Sequence, residues 1–402
     1  MAIASVIITK RFHLMPTKLK PAAKPQPTPN PQHMDPQHMD PQRTVLLLQG
    51  GGALGAYQAG AFEALATHDF EPDWVIGVSI GAINASLIAG NEPHHRLDRL
   101  REFWSRITAA PANLGALKLP FMPTIEQKLG AMNAVMFGQP GFFRPRPPLD
   151  FLAQPTPLSF YDTSLLRTTL DELVDFDRIN SRHTRLAVGA VQVRTGNMVY
   201  FDNTDRTITA DHIMASGALP PGFPPIEIDG EAYWDGGLVS NTPLEYMMST
   251  EPRRSSLVFQ IDLFPARGPM PTTLDEVAER DKDIRYSSRT RAATDQEQRR
   301  QNLRRQVAAF IERLPADLHA DPVASFLHDF ACPAQIDVVH LIYRPDQPQG
   351  SQKDFQFDRL TAEQRWEEGQ QDAKRALDAA PWREPHAPER AMRTFDIAKP
   401  TA

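Results

Sequence analysis

One stretch constrains this chain more than any other: V-L-L-L-Q-G-G-G-A-L-G-A-Y-Q-A-G, from Val45 to Gly60. A short apolar run breaks into three consecutive glycines and resumes in residues of good helix propensity, the pattern of a strand, a tight turn and a helix. A glycine turn at a helix start leaves backbone N–H groups without acceptors and puts the positive end of the helix dipole behind them. Such a loop holds a negative group. Two candidates are the pyrophosphate of a dinucleotide and the oxyanion that forms when an ester carbonyl is attacked.

The pattern then repeats. Thr44 to Gln49 and Asp73 to Val78 are apolar runs of strand length, Ala53 to Ala66 and Ile80 to Ala89 are helical, and Gly90 closes the second helix. Unbroken apolar strands suit a sheet covered on both faces, so this βαβα start predicts an α/β fold with a mainly parallel central sheet flanked by helices. Further strands are expected at Leu186 to Val193, Asn197 to Phe201, Leu257 to Leu263 and Ile336 to Tyr343. Ile226 to Asp235 reads as a hairpin turning at Asp229-Gly230. Asn241-Thr242-Pro243 has the form of a helix start with a capping side chain. Thr272 to Leu314 reads as one or two long charged helices. Its cluster Arg299, Arg300, Arg304 and Arg305 fits a solvated face first and contact with an anionic lipid surface second.

These signals divide the chain into a leader over 1–42, an α/β domain over 43–265 and a mainly helical extension over 266–402, whose strand near 336–343 completes the sheet. The leader carries eight prolines from Pro16 to Pro41 and is expected to be disordered. Within the domain, residues 111–160 combine prolines with Phe121, Met122, Met132, Met136, Phe137, Phe142 and Phe143. That composition serves equally as a cover over an acyl-binding groove or as ordinary packing of a connecting segment. A net charge of −6 gives no footprint for nucleic acid, and the single Cys332 excludes an internal disulfide and a cysteine-rich zinc site. No run reaches the ~18 apolar residues of a membrane span, so any membrane contact is expected to be peripheral and the protein cytoplasmic.

The second strand ends in G-V-S-I-G, which puts Ser79 on a strand-to-helix turn with Gly77 and Gly81 around it, the setting of an exposed nucleophile. A dinucleotide site wants an acid at the end of this strand. Ser79 stands there instead, and Asp73 precedes the strand. Adjacent parallel strands bring the glycine loop and the Ser79 turn to one sheet edge, which favours an oxyanion hole. Neither His212 nor His340 lies in a recognisable catalytic turn. Asp235, followed by Gly236 and Gly237 at a strand end, is the better candidate for the base.

Together these residues resemble the patatin-like phospholipase family. Gly50-Gly51-Gly52-Ala53-Leu54-Gly55 is similar to its glycine-rich motif, Gly77-Val78-Ser79-Ile80-Gly81 to its nucleophile motif and Asp235-Gly236-Gly237 to its aspartate motif. Ala215 to Pro220, with Phe223-Pro224-Pro225, resembles the stretch that leads into the last of these. Many relatives carry Lys or Arg where this chain has Leu54.

The resemblance, which covers about Thr44 to Met248, implies a three-layer α/β sandwich and a bacterial subgroup with a C-terminal extension. It also implies a Ser79–Asp235 dyad, an oxyanion hole at Gly50, Gly51, Gly52 and Gly55, a lipid or other acyl ester as substrate, and no metal or organic cofactor. The esters open to such a site include phospholipids, acylglycerols, thioesters and hydroxyalkanoate esters. A nicotinamide-dependent oxidoreductase and a non-catalytic lipid-binding protein are the competing classes.

Overall fold

The structure, a computed structural model, describes residues 42–109, 134–152, 154–387 and 390–397. The leader up to Pro41 lies outside the described residues, as does the part of the 111–160 segment that holds Phe121, Met122 and Met132. The strands are β1 (Arg43–Leu48), β2 (Trp74–Val78), β3 (Arg144–Pro145), β4 (Tyr161–Asp162), β5 (Arg185–Gln192), β6 (Met198–Asp202), β7 (Ile226–Ile228), β8 (Glu231–Asp235), β9 (Ser256–Asp262), β10 (Ile336–Ile342) and β11 (Met392–Asp396). Nine of them form one sheet in the order β11-β10-β9-β1-β2-β5-β8-β7, with β6 also paired to β5, while β3 and β4 pair separately. Pairing is parallel from β11 through β5 and antiparallel for β6, β7 and β8.

The alternation of side chains explains why β1 reads as an unbroken apolar run. Leu46 and Leu48 enter one core with Val75 and the helices α1 (Gly55–Ala66) and α2 (Ile80–Ala89). Val45 and Leu47 enter another with Trp74, Ile76, Leu244, Met247 and Met248. Both faces of the strand are therefore buried, and the fold is a three-layer sandwich. In the hairpin of β7 and β8, Asp229 and Gly230 have φ of 53° and 79°, the paired positive values of a tight turn matched to strand twist.

The C-terminal region is woven into this sheet. β10 pairs with β9, Ile336 opposite Ser256, and β11 extends it with Met392 opposite Ile336. Residues 274–311 form one 38-residue helix, started by the Thr273 side chain accepting from the Glu276 N–H. Its arginine cluster is partly spent on packing. Arg304 is buried and donates to the Met248 carbonyl, and Arg300 pairs with Glu297, so the row is not a continuous basic face toward solvent. Cys332 is buried and unpaired. Among the described residues, no helix is long and apolar enough to cross a membrane.

The helix Arg359–Ala379 lies against α1 at very short range. A Cβ on Gly369 would stand 2.0 Å from the Tyr57 carbonyl oxygen, and one on Gly60 would stand 1.9 Å from that of Trp366. The Tyr57 hydroxyl donates to Asp372 across the same contact at 2.8 Å. A side chain here must drive two helix backbones apart. Gly369→Val is expected to cost about 3 kcal/mol or more, read as a fall in the urea unfolding midpoint. An unchanged midpoint would mean that the helices do not approach this closely.

Candidate active site

Ser79 sits where β2 turns into α2, with φ 56° and ψ −127°, a region that side-chain-bearing residues rarely enter. The turn is compact enough to exclude side chains on either side. A Cβ on Gly77 would lie 2.2 Å from the Gly81 carbonyl oxygen, and one on Gly81 would lie 2.3 Å from that of Leu48. The Ser79 N–H donates to the Ser216 hydroxyl at 2.9 Å, which in turn donates to the Gly189 carbonyl at 2.6 Å. The strained backbone is thus tied to β5. Ser79 itself is half-buried between fully buried neighbours.

The glycine loop lies alongside because β1 and β2 are parallel neighbours with Leu48 opposite Gly77. A Cβ on Gly50 would stand 3.0 Å from that of Ser79. The four glycines are not equivalent, however. The Gly50 N–H donates to the Asn241 carbonyl at 3.3 Å, and the Gly55 N–H donates to the Gly52 carbonyl within a short 3₁₀ turn. Gly55 packs against Ile80 and Trp104, away from the cavity. That departs from the expectation of four donors in one hole: a glycine that closes a turn must use its own N–H to do so. The N–H groups of Gly51 and Gly52 have no acceptor among the described residues, and both residues line the cavity. Leu54 is fully buried in the core.

Asp235 ends β8 and reaches the same point from the antiparallel side of the sheet, where Ala190 of β5 is its partner. Its carboxyl is buried, accepts the Gly237 N–H at 2.7 Å and shares the cavity with Ser79. Burial pushes its pKa up from 3.8 to about 6, against the downward pull of the neighbouring Ser79 hydroxyl and the Gly237 N–H. Gly236 passes close over the Gly189 carbonyl, 2.5 Å from an added Cβ.

Asn241 was expected to cap a helix. Instead the helix Leu244–Ser249 starts without a side-chain cap, and the Asn241 Nδ2 donates to the Gly50 carbonyl at 2.9 Å. With the backbone bond from Gly50, this clamps the glycine loop to the aspartate loop. His212 is used in a capping box with Thr209, and burial lowers its pKa. His340 lies 3.5 Å from Asp262. Neither histidine lines the cavity. Among the described residues, no cluster of His, Cys, Asp and Glu could hold a metal ion.

The cavity over Ser79 and Asp235 measures about 80 Å³ and is walled by aromatic rings. Phe142 and Phe143, from the segment read as cover or packing, line the cavity and are buried, and their rings lie 5.9 Å and 5.2 Å from that of Phe223. Phe357, Tyr286 and the Asp354 carbonyl close the far side from the C-terminal region, the carbonyl 2.3 Å from where a Cβ on Gly52 would be. Burial, and then the charges of Asp235 and Asp354, raise the Tyr286 pKa. Sequence reasoning did not find Ser216, Asn241, Tyr286, Asp354 or Phe357 as parts of the site.

Comparison with known proteins follows the same outline. The family model for patatin-like phospholipase matches residues 46–248, and a second model, described as patatin phospholipase, matches residues 284–389. No curated protein matches the chain in sequence. Among solved structures, VipD from Legionella pneumophila is similar at 15% identity and a TM-score of 0.36, over 84% of this chain and 67% of that one. ExoU, in its complex with SpcU from the type III secretion system of Pseudomonas aeruginosa, is similar at 18% identity and a TM-score of 0.27, over 64% of this chain and 52% of that one. This chain therefore spans about half the length of that ExoU chain. The first family model runs from within β1 through the glycine loop, the Ser79 turn and the aspartate loop, over half of the sequence, and the chain belongs to the patatin-like phospholipase family.

Proposed function

We propose that this lipid ester hydrolase works through a two-residue centre in which Ser79 is the nucleophile and Asp235 the general acid and base. The observation that carries the reading is the buried Asp235 carboxyl, which lines one cavity with Ser79 and with two unpaired loop N–H groups. The Ser79 Oγ attacks the carbonyl carbon of a carboxylic ester as its proton passes to Asp235. Negative charge then develops on the carbonyl oxygen, where the N–H groups of Gly51 and Gly52 receive it. Asp235 returns the proton to the departing alcohol, leaving an acyl ester on Ser79. Water, deprotonated by Asp235, attacks that ester, the acid leaves and the proton goes back to Ser79. An acid near pKa 6 is a better match to this shuttle than one at its ordinary 3.8.

The test is labelling with a fluorophosphonate, which reacts with activated serines, followed by peptide mass spectrometry. The adduct is expected on the peptide that contains Ser79, absent from Ser79→Ala and much reduced in Asp235→Asn. Modification of a different serine in the wild type would reject the assignment.

A further inference from the structure

We propose that the surface formed by residues 134–152 and 154–162 is a lipid-bilayer docking face that delivers an ester from the membrane to the Ser79 cavity; the delivery step rests on the hydrolase reading above. The face collects large apolar side chains that are exposed among the described residues. Met136 is 55% exposed, Phe137 52%, Leu149 75%, Leu152 79%, Leu158 74% and Phe160 57%. Hydrogen bonds hold these pieces together: the Tyr161 hydroxyl donates to the Val135 carbonyl at 2.8 Å and the Arg146 N–H to the Phe160 carbonyl at 3.0 Å. The rings of Phe151 and Phe160 lie 6.4 Å apart. An exposed apolar concentration of this kind marks an interaction surface rather than the scattered exposure of ordinary surfaces.

Two observations select a bilayer as the occupant. The first is continuity with the cavity. Phe142 and Phe143 belong to the same segment and line the Ser79 cavity, and the Phe160 and Tyr161 N–H groups bond to the Pro221 and Gly222 carbonyls, next to the wall residue Phe223. The exposed face and part of the aromatic wall of the cavity thus come from one stretch of chain. The second is charge. The charged residues of the segment are Arg144, Arg146, Asp150 and Asp162, which cancel, and Arg144 is paired with Asp162 at 2.8 Å. A neutral apolar face on a protein of net charge −6 is suited to insertion among acyl chains, not to attraction by a charged partner.

The experiment uses the Ser79→Ala protein, so that vesicles stay intact, and flotation with phosphatidylcholine vesicles. The parent is expected to float, and raising salt from about 0.1 to about 0.5 M is expected to change its partition less than twofold. Adding Leu149→Ser, Phe151→Ser and Leu152→Ser, all on the exposed turn Pro148–Leu152, is expected to lower the partition at least about tenfold with an unchanged unfolding midpoint. Val323→Ser with Phe326→Ser, exposed apolar positions on the helix Pro322–Phe330, should leave the partition unaltered. Four outcomes overturn the proposal: a parent that does not float, a triple variant that floats equally, a loss matched by the control pair, or a triple variant that only dissociates a dimer. Hydrolysis of a soluble short-chain ester by the enzyme with Ser79 intact is read separately. An enzyme that floats but cleaves nothing would refute the hydrolase reading alone, and one that cleaves but does not float would refute the docking face alone.

Discussion

Ser79→Ala is expected to lower kcat/KM on a soluble ester by about 10⁴-fold or more while the protein remains folded. The substitution removes the attacking oxygen and little else. The bond that anchors the turn runs from the Ser79 backbone N–H to Ser216, so it survives loss of the hydroxyl. Alanine meets the same backbone penalty at φ 56° as serine does, which leaves the loop geometry intact. What persists should be the rate enhancement that binding and the Gly51 and Gly52 donors give to attack by water, commonly about 10³ to 10⁴ over solution. Steady-state kinetics with a chromogenic short-chain ester gives the number. A drop of only about tenfold would remove Ser79 from the role of nucleophile.

Asp235→Asn should cost about 10³- to 10⁴-fold in turnover and, at pH 8, make the protein more stable. The amide keeps an acceptor for the Gly237 N–H but cannot take a proton from Ser79. The stability change follows from linkage. The folded carboxyl titrates at about 6 and its ordinary value is 3.8, so protonation favours the folded state. That contribution is fully present below about 3.8 and is lost as pH rises through 6, which leaves the ionised group at pH 8 costing about 2 to 3 kcal/mol. Asparagine carries no such charge. Urea unfolding should place the variant above the wild type at pH 8 and level with it near pH 4, and wild-type kcat/KM should fall as pH drops through about 6. A variant less stable than the wild type at pH 8 would show that the carboxylate is comfortable where it sits, and with it the argument for a strengthened base would go.

Local pattern carried much of this molecule. β1, β2 and the Ser79 turn are legible because a two-face-buried strand, a glycine pair and a helix start each leave a mark within a few residues. The hairpin at Asp229-Gly230 is legible for the same reason. What escaped depends on partners far away in the chain. Asn241 looks like a cap in its own neighbourhood and becomes a clamp only because Gly50 is folded against it. β11 is a short edge strand, M-R-T-F-D, with no apolar run to announce it, and its pairing is decided by β10. Arg304 belongs to a basic row in sequence, yet the row winds around a helix and one position of it turns inward to the Met248 carbonyl. Tyr286, Asp354 and Phe357 reach the cavity through the order of strands and helices, which no window of sequence records.

The closing of the cavity by Asp354 and Phe357 has a bearing on how the enzyme comes into being. During synthesis Ser79 and Asp235 leave the ribosome well before Asp354 and Phe357, which line the same cavity. Until Asp354 and Phe357 have emerged, the cavity lacks the wall they form beside Ser79 and Asp235, so the pocket is completed late in synthesis.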